Sequence, residues 1–264
     1  MTARRSGATG GFTLIEVIVV IAVVAILASM AVPYAVKFID QGRVESTRRQ
    51  LEEIHRAIVG DPAVPVAGYV GDMGSLPGTL GQLNTPGTPL SYGPLRVKHG
   101  WDGPYVRIGY SPTAYLYDGW GRSLAYNAST GQITSGGPST VTAADDIVYP
   151  ASPVAVNGSI FVNLHVWRTD NTASQYVLNP QPGSFPGMQA TVQAYYSLNG
   201  IRTALSAGIP PGPGGPPYSL SPLHAGFHEV FATCTLPPDA QVSGQAVVYV
   251  PGNNKQTQVN LYLR

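Results

Sequence analysis

From Val17 to Val36 the chain runs for 20 residues without a charge. As a helix this stretch would extend about 30 Å, the thickness of a bilayer's hydrocarbon core. Past Pro33 the pattern turns amphipathic. Val44, Thr47, Leu51, Ile54 and Ile58 recur in steps of three and four, while Lys37, Asp40, Arg43, Glu45, Arg48, Arg49, Glu52 and Glu53 are scattered around the rest. Gly60-Asp61-Pro62 ends the pattern. The spacing predicts one helix from Phe12 to about Val59, roughly 70 Å long. Its first half is free for a membrane or a filament core, and its second half packs on a globular domain.

Beyond the helix the apolar runs become short. In residues 61–150, Gly71 to Pro77 and Leu80 to Leu83 read as a turn leading to a short helix. Trp101 and Trp120 read as core or turn aromatics, and Ser123 to Asn127 as a strand. In residues 151–264 the runs are Ile160–Trp167, Ala190–Tyr196, Gly226–Cys234, Ala246–Val250 and Val259–Leu263. Val259, Leu261 and Leu263 alternate with Asn260 and Tyr262, as on a strand with one buried face. This spacing predicts an all-β sandwich, similar at fold level to immunoglobulin-like or transthyretin-like modules. Ile209 to Pro217, rich in proline and glycine, predicts an exposed loop.

Composition narrows the function. Charged residues are 11% of the chain, against about 25% in ordinary soluble domains. The net charge is +1, and removing Arg4 and Arg5 would leave 13 basic residues against 14 acidic ones. Neither balance gives the basic footprint of a nucleic-acid binder. Cys234 is the single cysteine, so no intrachain disulfide forms; its apolar strand makes it a buried thiol. His55, His99, His165, His224 and His228 lack metal-ligand spacing, and neither a nucleophile-elbow motif nor a phosphate-binding loop occurs. The sequence therefore predicts no enzyme.

The order of features at the start carries the most information. Met1 to Gly11 is short and polar, with Arg4 and Arg5, and ends in Gly10-Gly11. Basic residues before the span place the N-terminus in the cytoplasm and the rest outside. A secretory signal would have its small-residue cleavage site after the apolar region. Here the small pair comes first, so cutting after Gly11 leaves the apolar helix on the mature protein. Glu16 is the anomaly, since a carboxylate at mid-membrane costs about 2.5–3.5 kcal/mol, less near the edge. Cleavage after Gly11 would create a countercharge, the α-amino group of Phe12, one helical turn away.

Gly11-Phe12-Thr13-Leu14-Ile15-Glu16-Val17 resembles the processing signature of type IV pilins and type II secretion pseudopilins. The resemblance implies cleavage after Gly11 by a prepilin peptidase, N-methylation of Phe12, and pairing of Glu16 with the amino terminus of an adjacent subunit. Pro33 fits the family's habit of a proline late in the apolar half, where the helix can kink or melt in the filament. The resemblance further implies a single-pass inner-membrane protein with a periplasmic head. It would self-assemble with other pseudopilins on an inner-membrane platform driven by an ATPase elsewhere.

Residues 70–150 resemble the head of the major pseudopilin. That family has an aspartate, a spacer, Trp-Gly, a strand, a serine-glycine turn and a terminal Asp-Asp. Here these are Asp118-Gly119-Trp120-Gly121, Ser123 to Asn127, Ser135-Gly136-Gly137-Pro138 and Asp145-Asp146. The resemblance implies that this last loop can bind calcium through Asp145, Asp146 and backbone carbonyls. Ser139 stands where the family has an acidic residue, which weakens that implication. The expected fold is α+β, with a leader (1–11), a transmembrane and assembly helix (12–60), a pseudopilin-like head with a short sheet (61–150) and a β-sandwich extension (151–264). The expected function is that of a pseudopilus subunit. Two rivals share the N-terminus: a type IV pilus subunit, and a pilin-anchored binding protein. The second would use exposed aromatics among Tyr195, Tyr196, Tyr218 and Phe227 to bind a carbohydrate or protein.

Overall fold

The structure, a computed structural model, describes residues 11–61, 66–106, 111–139, 143–169, 174–180, 182–207 and 217–264. The leader up to Gly10 and nearly all of the predicted loop at 209–217 lie outside the described residues. The described chain divides into two compact units, 1–46 and 47–264.

Helix α1 (Leu14–Val59, 46 residues) spans the division. Its start is a Thr-x-x-Glu pattern: the Thr13 hydroxyl accepts the backbone N–H of Glu16 at 3.3 Å, satisfying a donor that the first turn leaves unpaired. The helix runs unbroken through Pro33. It stops at Gly60, whose φ of +83° ends the α-helical path and which closes the last turn through its N–H to the Arg56 carbonyl at 2.8 Å. A Cβ there would lie 1.9 Å from the Val66 carbonyl oxygen, so no other residue fits.

In the first unit the apolar side chains of α1 are exposed on all sides, from Leu14 and Ile15 to Phe38 and Ile39. In the second unit the same helix has a buried stripe, Thr47, Leu51, Ile54 and Ile58, as the periodicity predicts. That stripe packs with α2 (Gly68–Met73), a 3-10 turn at Leu80–Leu83 and a small antiparallel sheet. The sheet has the order β3 (Ala125–Asn127), β4 (Gln132–Ser135) and β5 (Ile147–Tyr149). A two-residue hairpin, β1 (Ser91–Tyr92) and β2 (Lys98–His99), precedes it. Where the sequence predicts a turn at 71–77, the chain is helical to Met73, and Gly74 at φ +77° caps it.

Residues from Asn157 onward form the predicted sandwich. One sheet runs β10 (Tyr218–His224), β6 (Asn157–Thr169) and β13 (Gln256–Leu263), with β7 (Ser174–Leu178) on the far half of β6. The other runs β12 (Val242–Val250), β11 (Gly226–Thr235), β8 (Gln189–Leu198) and β9 (Ile201–Ala207). All pairings are antiparallel except β6 with β13. Ile160, Val162, Leu164 and Leu263 from the first sheet meet Val192, Val230, Cys234 and Val250 from the second in one core. Strands β7, β9 and β10 are additions to the five runs visible in the sequence. Strand β9 has no fully buried residue, and β10 is interrupted by Pro222 at a register shift, so neither shows a clean alternation.

The small core and the sandwich belong to one unit. Helix α2 lies on the second sheet where Gly71 and Gly226 bring two backbones together: a Cβ on Gly226 would stand 2.6 Å from the Gly71 Cα. The Met73 carbonyl accepts the N–H of Gly200, in the Asn199-Gly200 turn between β8 and β9, at 2.9 Å.

Candidate functional site

Gly11 and Phe12 precede the first turn of α1, and both are exposed; Phe12 keeps 82% of its surface accessible, and nothing comes within 4 Å of the position a Gly11 Cβ would occupy. Glu16 lies one turn further on, also exposed, on a helix whose neighbouring side chains Leu14, Ile15, Val17 and Ile18 are all apolar. Thr13 joins this site as the helix cap, a role that its Thr-x-x-Glu spacing signals and that the processing signature does not single out.

In the second unit the candidate calcium loop is organised by an unforeseen pair. Asp118 is buried, and its Oδ1 accepts the backbone N–H groups of Trp120 and Arg122, each at 2.9 Å. Its Oδ2 accepts the Ser135 hydroxyl at 2.7 Å. Thr47 of α1 accepts the N–H of Gly119 at 3.0 Å, fixing the turn to the helix. The guanidinium of Arg122 then reaches the β4–β5 loop, donating to the carbonyls of Gly136 (3.5 Å), Gly137 and Pro138 (3.1 Å). Asp145 and Asp146 are exposed, at the end of a 3-10 turn (Ala143–Asp145) that leads into β5. Among the described residues no group of three or more His, Cys, Asp or Glu is placed to hold a metal ion. The carbonyls of Gly136, Gly137 and Pro138 face the Arg122 guanidinium, a positive group already in the loop.

Residues 8–32 match the family model of the prokaryotic N-terminal methylation motif. The chain carries the type IV pilin/pseudopilin signal. No curated protein and no solved structure matches it. The pilin signal points to a structural subunit rather than an enzyme, and with the apolar helix behind it fits a single-pass membrane-anchored protein.

The remaining candidates of this pilin-like chain have packing partners. Trp101 packs against the small core and donates its indole N–H to the Gln82 carbonyl at 3.1 Å; Trp120 is half-buried in the Asp118 turn. Tyr218 is fully buried, and Tyr195, Tyr196 and Phe227 are half-buried, with the Arg202 guanidinium 3.5 Å above the Tyr195 ring. That burial weakens a binding face built on those four rings. Cys234 is buried in the sandwich core, which pushes its thiol up to about 11 and leaves it unreactive. His224 and His228 do meet, but through a backbone oxygen: His228 Nε2 lies 2.7 Å from the His224 carbonyl.

Buried imidazoles give the head a pH dependence. Burial pushes His228 down to about 4 and lowers His55, His99 and His224 from 6.5. The Nε2 of His99 has no hydrogen-bond partner, as suits a neutral ring. Below pH 6.5 the unfolded chain binds these protons more readily than the folded chain, so stability falls as pH falls; for His228 the window runs from 6.5 to about 4. His228 alone accounts for about 3 kcal/mol over that window. Asp72 opposes it: burial raises its carboxyl to about 6, despite the Tyr105 hydroxyl donating to it at 2.9 Å. Its contribution has the opposite sign, on the order of 3 kcal/mol, while the lowering of His55, His99 and His224 acts in the same direction as that of His228. The melting temperature of the detergent-solubilised chain is expected to drop between pH 7 and pH 5. Asp72→Asn should steepen the drop and His228→Phe should flatten it. A flat or rising profile in the unmutated chain would contradict the neutral-histidine reading.

Proposed function

We propose that this chain is a structural subunit of a type II secretion pseudopilus. Its leader is cut after Gly11 by a prepilin peptidase, Phe12 is methylated, and the first half of α1 is inserted in the inner membrane with the head in the periplasm. Subunits then stack through α1, on an assembly platform and ATPase that other proteins provide, with Phe12, Glu16 and Pro33 in the contacts. The observation that carries the reading is the methylation motif at residues 8–32, which runs into the first half of a helix whose apolar side chains there are exposed all round. Such a surface needs lipid or copies of itself to cover it.

The choice of a secretion filament over a type IV pilus rests on the head. The Asp118-Gly119-Trp120-Gly121 turn, the following β3–β4 hairpin and the Ser135-Gly136 turn support it by their likeness to the major pseudopilin. Residues 1–11, 12–60, 61–150 and 151–264 serve in this reading as leader, assembly helix, head and β extension. Intact mass of the membrane-extracted protein is expected to correspond to a chain that begins at Phe12 and carries one added methyl group. In cells lacking the prepilin peptidase the leader should remain. A mature chain beginning after the apolar stretch would mean ordinary signal cleavage and would end the filament proposal.

A further inference from the structure

The β4–β5 loop contains an arrangement that a divalent cation would be expected to create. Three consecutive carbonyls, of Gly136, Gly137 and Pro138, converge on one positive group. We propose that the Arg122 guanidinium stands permanently in place of a metal ion, so that this loop closes without calcium. The inference is independent of whether the filament serves secretion or a pilus.

The geometry is built from both sides. On the arginine side, Asp118 fixes the backbone of Arg122 through its own carboxylate and through the Asp118 N–H, which donates to the Arg122 carbonyl at 2.8 Å. Both carboxylate oxygens of Asp118 are thereby used within the turn and on Ser135. On the loop side, Gly137 sits at φ +57° with its Cα against the Asp145 carbonyl: a Cβ would lie 2.2 Å from that oxygen. Its N–H points to the Ser135 hydroxyl at 3.2 Å. Only glycine allows this approach, and the approach turns the following carbonyls toward the arginine.

Calcium requires six to eight oxygens at about 2.3–2.6 Å. A metal at these carbonyls would lie within a few ångströms of a fixed positive charge, and the like charges repel. A guanidinium offers five N–H donors in a planar fork, so one side chain spans several carbonyls where a lysine ammonium could not. Ser139 replaces the family's acidic residue in the same loop, which removes a carboxylate that the arginine makes unnecessary.

Thermal melting of the full-length chain in detergent tests this, in excess chelator and in millimolar calcium. The unmutated chain is expected to melt at the same temperature in both. Arg122→Ala should melt roughly 3–6 °C lower, because three carbonyls lose a charged donor. Arg122→Lys, which keeps the charge on a single nitrogen, should fall between the two and serves if the alanine variant does not accumulate. A calcium-dependent rise in the unmutated chain would overturn the proposal, and so would an Arg122→Ala or Arg122→Lys variant that melts with it.

Discussion

Glu16→Leu is expected to enter the membrane, lose its leader after Gly11 and fail to assemble. Insertion becomes easier, because a carboxylate in an apolar span carries a cost that leucine does not. Cleavage should persist, because the Gly11–Phe12 bond and its exposure are unchanged. The helix start should persist as well: the Thr13 cap accepts the backbone N–H of residue 16, which the variant keeps. On the proposed assembly, what the variant loses is the countercharge for the Phe12 α-amino group of a neighbouring subunit. Removing one partner of a buried ion pair costs about 3–5 kcal/mol, which is a factor of at least about a hundred in each subunit addition. Crosslinked multimers or sheared filaments, scored against the amount of membrane-inserted chain, give the readout. Thr13→Ala is the control, since it weakens the cap by about 1 kcal/mol and leaves the carboxylate in place. Normal multimers from Glu16→Leu would reduce α1 to a membrane anchor for the β-rich head.

That experiment concerns the part of the molecule most legible in the sequence. The first half of the helix from Leu14 to Val59 follows from the length of its uncharged run, and the buried stripe at Thr47, Leu51, Ile54 and Ile58 from periodicity, because a 3.6-residue repeat sustained over several turns matches the α-helix and no strand. Strands with a clean inward alternation, such as the run Val259, Leu261, Leu263, are equally visible. The edge strands are not. Ile201–Ala207 is half-exposed throughout, and its best signal, the Asn199-Gly200 hairpin turn, lies outside it. The loop chemistry is only half legible. Aspartates can be read as ligands, but the approach of Arg122 to carbonyls 14 to 16 residues away depends on how β3 and β4 pair. His228-Glu229 inside the apolar run Gly226–Cys234 warns of buried polar groups. The partners of Glu229 lie on another strand and in a distant loop, so no local pattern can name them.

Those partners carry the second large expected effect. Arg202→Ala is expected to destabilise the head by about 3–5 kcal/mol, because it strands a buried charge. Glu229 on β11 is fully buried, and its Oε2 accepts both the Nε (3.0 Å) and an Nη (2.8 Å) of Arg202 on β9. Strand β8 lies between them, and the Arg202 guanidinium crosses it over the face of Tyr195. The other carboxylate oxygen, Oε1, accepts the N–H of Leu95 at 2.6 Å, in the hairpin loop between β1 and β2. The loop presses so closely that a Cβ on Gly93 would lie 2.1 Å from Glu229 Oε2. The pair thus ties a loop of the head to the outer face of the sandwich. Truncating the arginine leaves the carboxylate with the Leu95 N–H and little water. Glu229→Gln should cost less, on the order of 1–2 kcal/mol, because a neutral amide oxygen can still accept from Leu95 and the partly exposed arginine can rehydrate. The double variant Arg202→Ala with Glu229→Gln should therefore be more stable than Arg202→Ala alone. Denaturant or thermal unfolding of the four detergent-solubilised chains measures this order. If the double variant proves the least stable of the four, the stranded carboxylate is not the source of the loss, and the cost belongs instead to the stacking of Arg202 on Tyr195.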